Sequence, residues 1–350
     1  MTDQDTFGGT TAVREGYEVD ERALQAFMEA EVRDFAGPVT IEQFKGGQSN
    51  PTYKLVTPSR SYVMRRKPSG KLLKGAHAIE REARVISALH GTGFPVPEMF
   101  ALCTDDTIIG TPFYIMAMIE GRNFWDARFP DVETRERSAY FDAMNAALAT
   151  LHKLDINALA LADFGRSDRY CERQIGLWTK QYLADADAGR DSHMDRLIEW
   201  LPGHIPADSE TTLIHGDFRC DNLIFHPRDP QIAAVLDWEL STLGDPLADF
   251  AHHVMMYRMP PDIVAGLAGA DLVTLGIPSE EEYIASYCAR TGRGRIVDMP
   301  FYLAFAFFRL AAIMHGIKGR LIRGTASSAH AEHRAKSYPV LAKMAWQQIA

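Results

Sequence analysis

Residues 213–249 read LIHGDFRCDNLIFHPRDPQIAAVLDWELSTLGDPLAD. Leu213 and Ile214 make a short apolar strand that leads into a turn at Gly216. Asp217 then projects from a loop, where a carboxylate can orient an incoming hydroxyl or accept its proton. Asn222 ends the loop and opens a second strand, LIF, and its amide oxygen is a hard neutral ligand suited to Mg²⁺. A turn near Pro227–Pro230 returns the chain through IAAVL, which brings Asp237 to the same end of the hairpin. A base at the hydroxyl and an amide plus a carboxylate on the metal are the parts that phosphoryl transfer from ATP requires. Taken singly, an Asp in a turn is most often a capping residue. A His beside a strand is most often structural, and His215 is read chiefly as holding the loop by hydrogen bonds, within the catalytic set. The spaced set Asp217, Asn222 and Asp237 is what makes accident improbable.

Around this segment the chain changes character once. From Val39 to Arg66, three short β-branched or aromatic runs, VTIEQF, TYKLV and SYVMRR, are separated by Gly, Asn, Pro and Ser and read as strands. Asp20 caps a helix whose apolar residues Leu24, Phe27, Met28 and Val32 fall at helical spacing. Ala76–His90 reads as a helix with the stripe Ile79, Ala83, Ile86 and Leu89, stopped by Gly91, Gly93, Pro95 and Pro97. MFALCT and PFYIMAMIE follow as two more strands joined at Asp105–Asp106. Beyond Gly121 the pattern turns helical, with helices expected near 133–153, 167–187, 193–200, 246–257, 279–291, 299–323 and 328–349. Short strands interrupt them near 211–215, 222–226 and 232–236. The fold class is therefore α+β: a small antiparallel β lobe and a larger, mainly helical lobe. Residues 1–17 read as a flexible leader, 18–119 as the ATP-binding lobe, and 120–350 as the catalytic and acceptor-binding lobe.

Composition bounds the partners. A net charge of −9 over 350 residues offers no basic excess for nucleic acid. The four cysteines are scattered, with no CxxC pair, which argues against structural zinc and disulfides and for a reducing cytoplasm. The N-terminus has no apolar segment of the secretory kind. The run FYLAFAFFRLAAIM, Phe301–Met314, is too short to span a bilayer and carries Arg309, so a buried helix is expected and no membrane partner.

The motif HGD…N, His215 to Asn222, with Leu236-Asp237-Trp238 and the GDPLADFA of Gly244–Ala251, resembles the aminoglycoside phosphotransferase and choline kinase superfamily. Within it the chain resembles the branch that includes the kinase-like domain fused to acyl-CoA dehydrogenases 10 and 11 and stand-alone bacterial relatives. The likeness extends from about residue 38 to 345, and it implies a protein-kinase-like two-lobed fold. It also implies a phosphate-covering turn at Lys45-Gly46-Gly47-Gln48-Ser49-Asn50, a segment that alone would read as an ordinary hairpin turn. The third strand should carry a cation for the phosphates, paired with a helix carboxylate. Arg65 stands where the usual lysine would be, with Lys67 as the fallback, and Glu82 is the expected partner, while Glu80 faces solvent. Backbone near Met118 and Ile119 would read adenine. ATP and Mg²⁺ are the implied cofactors and a small-molecule hydroxyl the acceptor.

The acceptor itself is read from the C-terminal cations. Arg290, Arg293, Arg295, Arg309, His315, Lys318, Arg320 and Arg323 suggest a basic, apolar wall suited to a hydroxyacyl-CoA. Two other readings stand beside it. One is an aminoglycoside or macrolide antibiotic phosphotransferase, which needs an acidic pocket. The other is a catalytically weak nucleotide-binding protein, which the Arg65 exchange alone favours.

Overall fold

The computed structural model describes residues 8–46, 50–68, 78–207, 210–263, 266–325 and 331–350. Contacts group the chain into two compact units, one of Met1–Trp125 with Asp221–Ser241, the other of Asp126–Cys220 with Thr242–Ala350. The Asn222–Asp237 hairpin thus groups with the N-terminal unit, not with the helices among which the sequence reading placed it.

The first unit is built on a six-stranded antiparallel sheet. Along the chain come β1 (Thr10–Thr11), α1 (Glu21–Glu31), β2 (Thr40–Phe44), β3 (Thr52–Val56), β4 (Ser61–Arg66), α2 (Ile79–Leu89), β5 (Met99–Cys103) and β6 (Phe113–Ala117). The sheet order is β1-β2-β3-β4-β6-β5. Period-2 alternation puts Ile41, Tyr53, Leu55, Tyr62, Met64, Phe113 and Ile115 into one core with Leu24, Met28 and Val32 of the α1 region. Asp20 caps α1 as expected, accepting from the backbone N–H of Arg22 and Ala23 at 3.0 Å each. The expected leader needs correction over its described part. Thr10 and Thr11 pair with Phe44 and Gln43 at the sheet edge. Further along, the Tyr17 carbonyl accepts from Tyr53 Oη at 2.8 Å. A two-residue strand of threonines carries no readable alternation.

In the second unit, α3 (Thr134–Leu151), α4 (Tyr170–Ala184), α5 (Ser192–Trp200) and β7 (Thr212–Ile214) precede the return to the first unit. There β8 (Leu223–Phe225) and β9 (Ile232–Val235) form the hairpin. Its root is tied to the N-terminal segment, because Arg122 and Phe225 exchange backbone hydrogen bonds at 2.8 Å. That close pairing requires glycine next door, since a Cβ on Gly121 would stand 2.2 Å from the Phe225 carbonyl oxygen. After β10 (Thr242–Gly244) come α6 (Pro246–Val254), α7 (Leu272–Leu275), α8 (Glu280–Thr291), α9 (Met299–Ile322) and α10 (Ala331–Gln347). β10, which the sequence reading did not expect, pairs antiparallel with β7, the strand expected near 211–215. The apolar helix α9 is the axis of the unit and packs on α10, α6 and α4. At 24 residues it is long and apolar enough to cross a membrane by length and composition, and 78% of its most apolar window is buried in the structure, matching the buried helix expected around Phe301–Met314.

Candidate active site

In the first unit, strand β4 presents Arg65 opposite Tyr114 of β6. Its guanidinium lies among three carboxylates: Nε is 3.1 Å from Glu82 Oε2, and one terminal nitrogen is 2.9 Å from Asp237 Oδ1 and 3.4 Å from Glu239 Oε2. Tyr114 Oη donates to Glu82 Oε2 at 3.1 Å. Helix α2 brings Glu82 inward on the same face as Ala83 and Ile86, which leaves its side chain 2% exposed. Burial pushes the Glu82 carboxyl up to about 7, and Asp237 and Glu239 add to the rise against the pull of Arg65. Arg65 is held firmly protonated, because the attraction of Asp237 and Glu82 outweighs its burial. One cation therefore faces three acidic groups.

Asp237 follows β9 in a left-handed backbone conformation, φ +61°. Such a conformation in a residue other than glycine stores strain and persists only when its surroundings impose it. Here Trp238 imposes it: its indole donates to the Val235 carbonyl at 3.0 Å and its ring packs edge-on against Phe94. The Asp237 side chain remains 40% exposed. Asn222 is fixed at the neighbouring end of β8, where its carbonyl accepts from Leu236 N–H at 2.8 Å. Asn123 braces this segment by donating to the carbonyls of Asp221 and Leu223 at 2.7 and 3.0 Å. The hard oxygens of Asn222 and Asp237 at one end of a hairpin, beside an excess of acid, form a donor set that fits Mg²⁺.

In the second unit, Gly216 turns the loop after β7 at φ +83°, which a side chain would resist. Asp249 of α6 accepts the backbone N–H of His215 and of Gly216, both at 2.8 Å, and its Oδ2 also meets His152 Nε2 at 3.1 Å. Asp217 N–H donates to His215 Nδ1 at 3.2 Å, so this buried histidine props the loop from within. Asp217 keeps a side chain 30% exposed, with Oδ1 3.0 Å from His252 Nε2. Burial would raise its carboxyl, but Arg219, His252 and His215 hold it well below the usual carboxylate range. Such a group is ionised at neutral pH and ready to accept a hydrogen bond from an alcohol.

Residues 40–294 match the model of the phosphotransferase enzyme family. The chain belongs to that family. This phosphotransferase is 48% identical, with a TM-score of 0.87, to a Ralstonia eutropha JMP134 protein named for aminoglycoside phosphotransferase and solved at 2.32 Å, over 95% of this chain and 98% of that one. It is 45% identical over 340 residues to acyl-CoA dehydrogenase family member 10 of Mus musculus, covering 96% of this chain and 32% of that protein. Family member 11 of Homo sapiens is 42% identical over 318 residues, 89% of this chain and 41% of that protein. The phosphotransferase thus spans less than half the length of these two curated relatives. Aminoglycoside phosphotransferase APH(4)-Ia, solved with ADP and hygromycin B, shares 14% identity at a TM-score of 0.61 over 93% of this chain and 98% of that one, a likeness of fold alone. The fold class is α+β and kinase-like, an antiparallel six-stranded sheet with a helical region.

Within this phosphotransferase the structure brings Arg65, Glu82 and Asp237 together, and separately links His215 and Asp217. Lys67 instead pairs with Glu80 at 2.5 Å, so the fallback cation is engaged and Glu80 is not simply solvated. Gly47, Gln48 and Ser49 lie outside the described residues. Gly46 is partly exposed at the end of β2. Asn50 is buried and donates to Glu82 Oε1 at 3.0 Å, turned toward the acidic cluster where a phosphate donor was expected. Met118 and Ile119 follow β6 directly and are half-buried.

The basic wall expected of this phosphotransferase needs correction, because most of its cations serve the fold. His315 Nε2 contacts the Gly189 carbonyl at 2.8 Å, and Lys318 donates to Ala188 at 2.6 Å. Arg323 pairs with Asp185 and Asp187, Arg290 with Asp142 and Asn145, and Arg293 with Glu210. Arg309 is buried in α9. A recess beside Asp217 is instead lined by Ala127, Arg219, His252, Met255, Met256 and Met259. The sequence reading passed over Tyr114, Glu239, Asn123, His152 and His252. Only Glu239, two residues after Asp237 in the LDWE run, carried a signal that finds it.

Proposed function

We propose that this phosphotransferase moves the γ-phosphoryl group of ATP to the hydroxyl of a small-molecule acceptor, with Mg²⁺ as its metal. The observation that carries this reading is the Arg65 cluster, in which one guanidinium faces Glu82, Asp237 and Glu239. The cluster holds more acid than base, and a divalent ion beside Asp237 would offset the excess. Asn222 and Asp237 would hold that ion, which would supply neutralising charge to the phosphates. Arg65, aligned by Glu82, steadies the phosphates through its planar fork. Asp217 orients the acceptor hydroxyl and takes its proton as the oxygen attacks the γ-phosphorus. The new O–P bond forms while the bond from the γ-phosphorus to the bridging oxygen breaks, and ADP leaves with the electron pair. Positioning and charge stabilisation make up most of the rate enhancement, and the base adds less.

The acceptor class we favour is a hydroxyacyl-CoA. The relatives named for acyl-CoA dehydrogenases support it, and the small recess lined by Arg219, Met255, Met256 and Met259 is apolar rather than acidic. A polycationic aminoglycoside would call for carboxylates, and none lines that recess. The test is a screen of Mg²⁺-dependent ADP release across hydroxyacyl-CoAs, aminoglycosides, macrolides, choline and homoserine. We expect ADP and a phosphate ester with a hydroxyacyl-CoA. Release with an antibiotic alone would transfer the reading to drug modification. A chain that neither binds Mg-ATP nor releases ADP would be a non-catalytic relative.

A further inference from the structure

Helix α6 meets the 215–218 loop at more points than a scaffold needs. Asp249 takes the backbone N–H of His215 and Gly216. His253 Nδ1 lies 3.1 Å from the Phe218 carbonyl oxygen, and its Nε2 is 2.7 Å from Tyr283 Oη. Between these two anchors stands His252, 6% exposed, whose Nε2 is 3.0 Å from Asp217 Oδ1. An ionised carboxylate only accepts, so Nε2 must carry the hydrogen. His252 Nδ1 is buried and has no hydrogen-bond partner among the described residues. A bare nitrogen is tolerated there far better than an unsatisfied charged N–H.

Resting on the functional reading above, we propose that His252 is a positioning residue for the base: a neutral imidazole, protonated at Nε2, that holds Oδ1 of Asp217 and so fixes the orientation of its carboxylate. Helix α6 is rigid enough to do this, since Asp245 caps it and Pro246 opens it. The charged and titratable groups around the ring are Asp217, Asp249, the buried and neutral His253 and, from α9, Arg309. Burial pushes the imidazole below its ordinary value, Arg309 pushes the same way, and the bond to Asp217 opposes them. Arg309 is itself buried, with an Nε that has no hydrogen-bond partner among the described residues. Its charge therefore discourages a second proton on His252. A neutral donor orients the carboxylate without taking over its proton affinity, as an imidazolium would.

Two measurements on the full chain decide this. Nitrogen-15 NMR of histidine-labelled protein, with H252Q assigning the signal, should show an Nε2-protonated ring that does not titrate between about pH 6 and 8, the window in which an ordinary histidine changes charge. A ring protonated at Nδ1, or one that titrates in that window, overturns the proposal whatever the chain catalyses. The second measurement is Mg-ATP hydrolysis with water as acceptor. In His252→Ala, kcat should fall about ten- to a hundredfold, within the reach of general-base assistance, with KM for ATP nearly unchanged. The acid limb of kcat should also move to higher pH. His252→Gln, whose amide can donate to the same oxygen, should restore most of the rate, and His252→Leu, which fills the ring's place without a donor, replaces the alanine variant if that does not fold. A slow D217N beside a His252→Ala protein with wild-type kcat and acid limb overturns the role of His252 alone. A D217N protein as fast as wild type overturns the functional reading beneath it as well.

Discussion

Asp217 and Asp237 are both aspartates on loops, and their neighbours set them to different work. Asp217 is kept ionised against its burial by the Arg219 cation and the hydrogen bond from His252. Asp237 shares Arg65 with two other acids. In Asp217→Asn, turnover should drop by about two powers of ten or more while Mg-ATP still binds, read by steady-state kinetics beside calorimetry. Asp237→Ala should lose Mg²⁺-dependent nucleotide binding in the same calorimeter. Glu82 gives a pH signature. Its carboxyl is raised in the fold to about 7 from an ordinary 4.5, so its favourable contribution is complete below 4.5 and is lost as pH rises through 7. Urea unfolding across that range should show wild type losing stability relative to Glu82→Gln as the pH rises. At this scale the sequence was legible where spacing carries the chemistry, as in His215, Asp217, Asn222 and Asp237. It was silent where a partner arrives from a distant element. Tyr114 reaches Glu82 only because β6 pairs with β4, and His252 reaches Asp217 only because α6 packs under the loop.

Between the residues and the whole stand the elements, and most of them announce themselves. The strands on either side of Asn222 and Asp237, the helix with Glu82 and the long apolar helix α9 lie within a few residues of their expected bounds. β1 and β10 do not, because TT and TLG lack the apolar run that marks the equally short β7 and β8. The direction of charged side chains on α8 and α9 was equally hidden, which is why cations that pair with Asp142, Asp185 and Glu210 read as a ligand wall. Helix α6 depends on its first turn: Asp245 accepts from Leu247 N–H at 2.8 Å and from Tyr302 Oη at 3.0 Å. Replacing Asp245 with Ala should lower stability by about 1–2 kcal/mol, the scale of a lost N-cap, seen as a lower urea midpoint with an unchanged slope. The same variant should reduce kcat more than KM for ATP, because α6 carries the contacts that hold Asp217.

At the scale of the whole molecule, a ligand that binds only the folded chain raises its stability. Mg²⁺ with a non-hydrolysable ATP analogue at a hundred times its Kd should stabilise the chain by about 2.7 kcal/mol, visible as a rise in Tm. The analogue without Mg²⁺, or Mg²⁺ with the Asp237→Ala chain, should give a much smaller rise.

The path of the chain has a consequence for how this protein is made. The first unit needs residues 221–241, which are synthesised only after all of α3, α4 and α5. On the ribosome, the nascent β-sheet must therefore wait, with the acidic side of Arg65 and Glu82 still lacking its hairpin, until a long intervening stretch has emerged and a large loop can close. A fragment ending at Trp125 would carry Arg65 and Glu82 but neither Asn222 nor Asp237. No single cut divides this chain into its two units, and a genetic dissection has to graft the hairpin back rather than truncate.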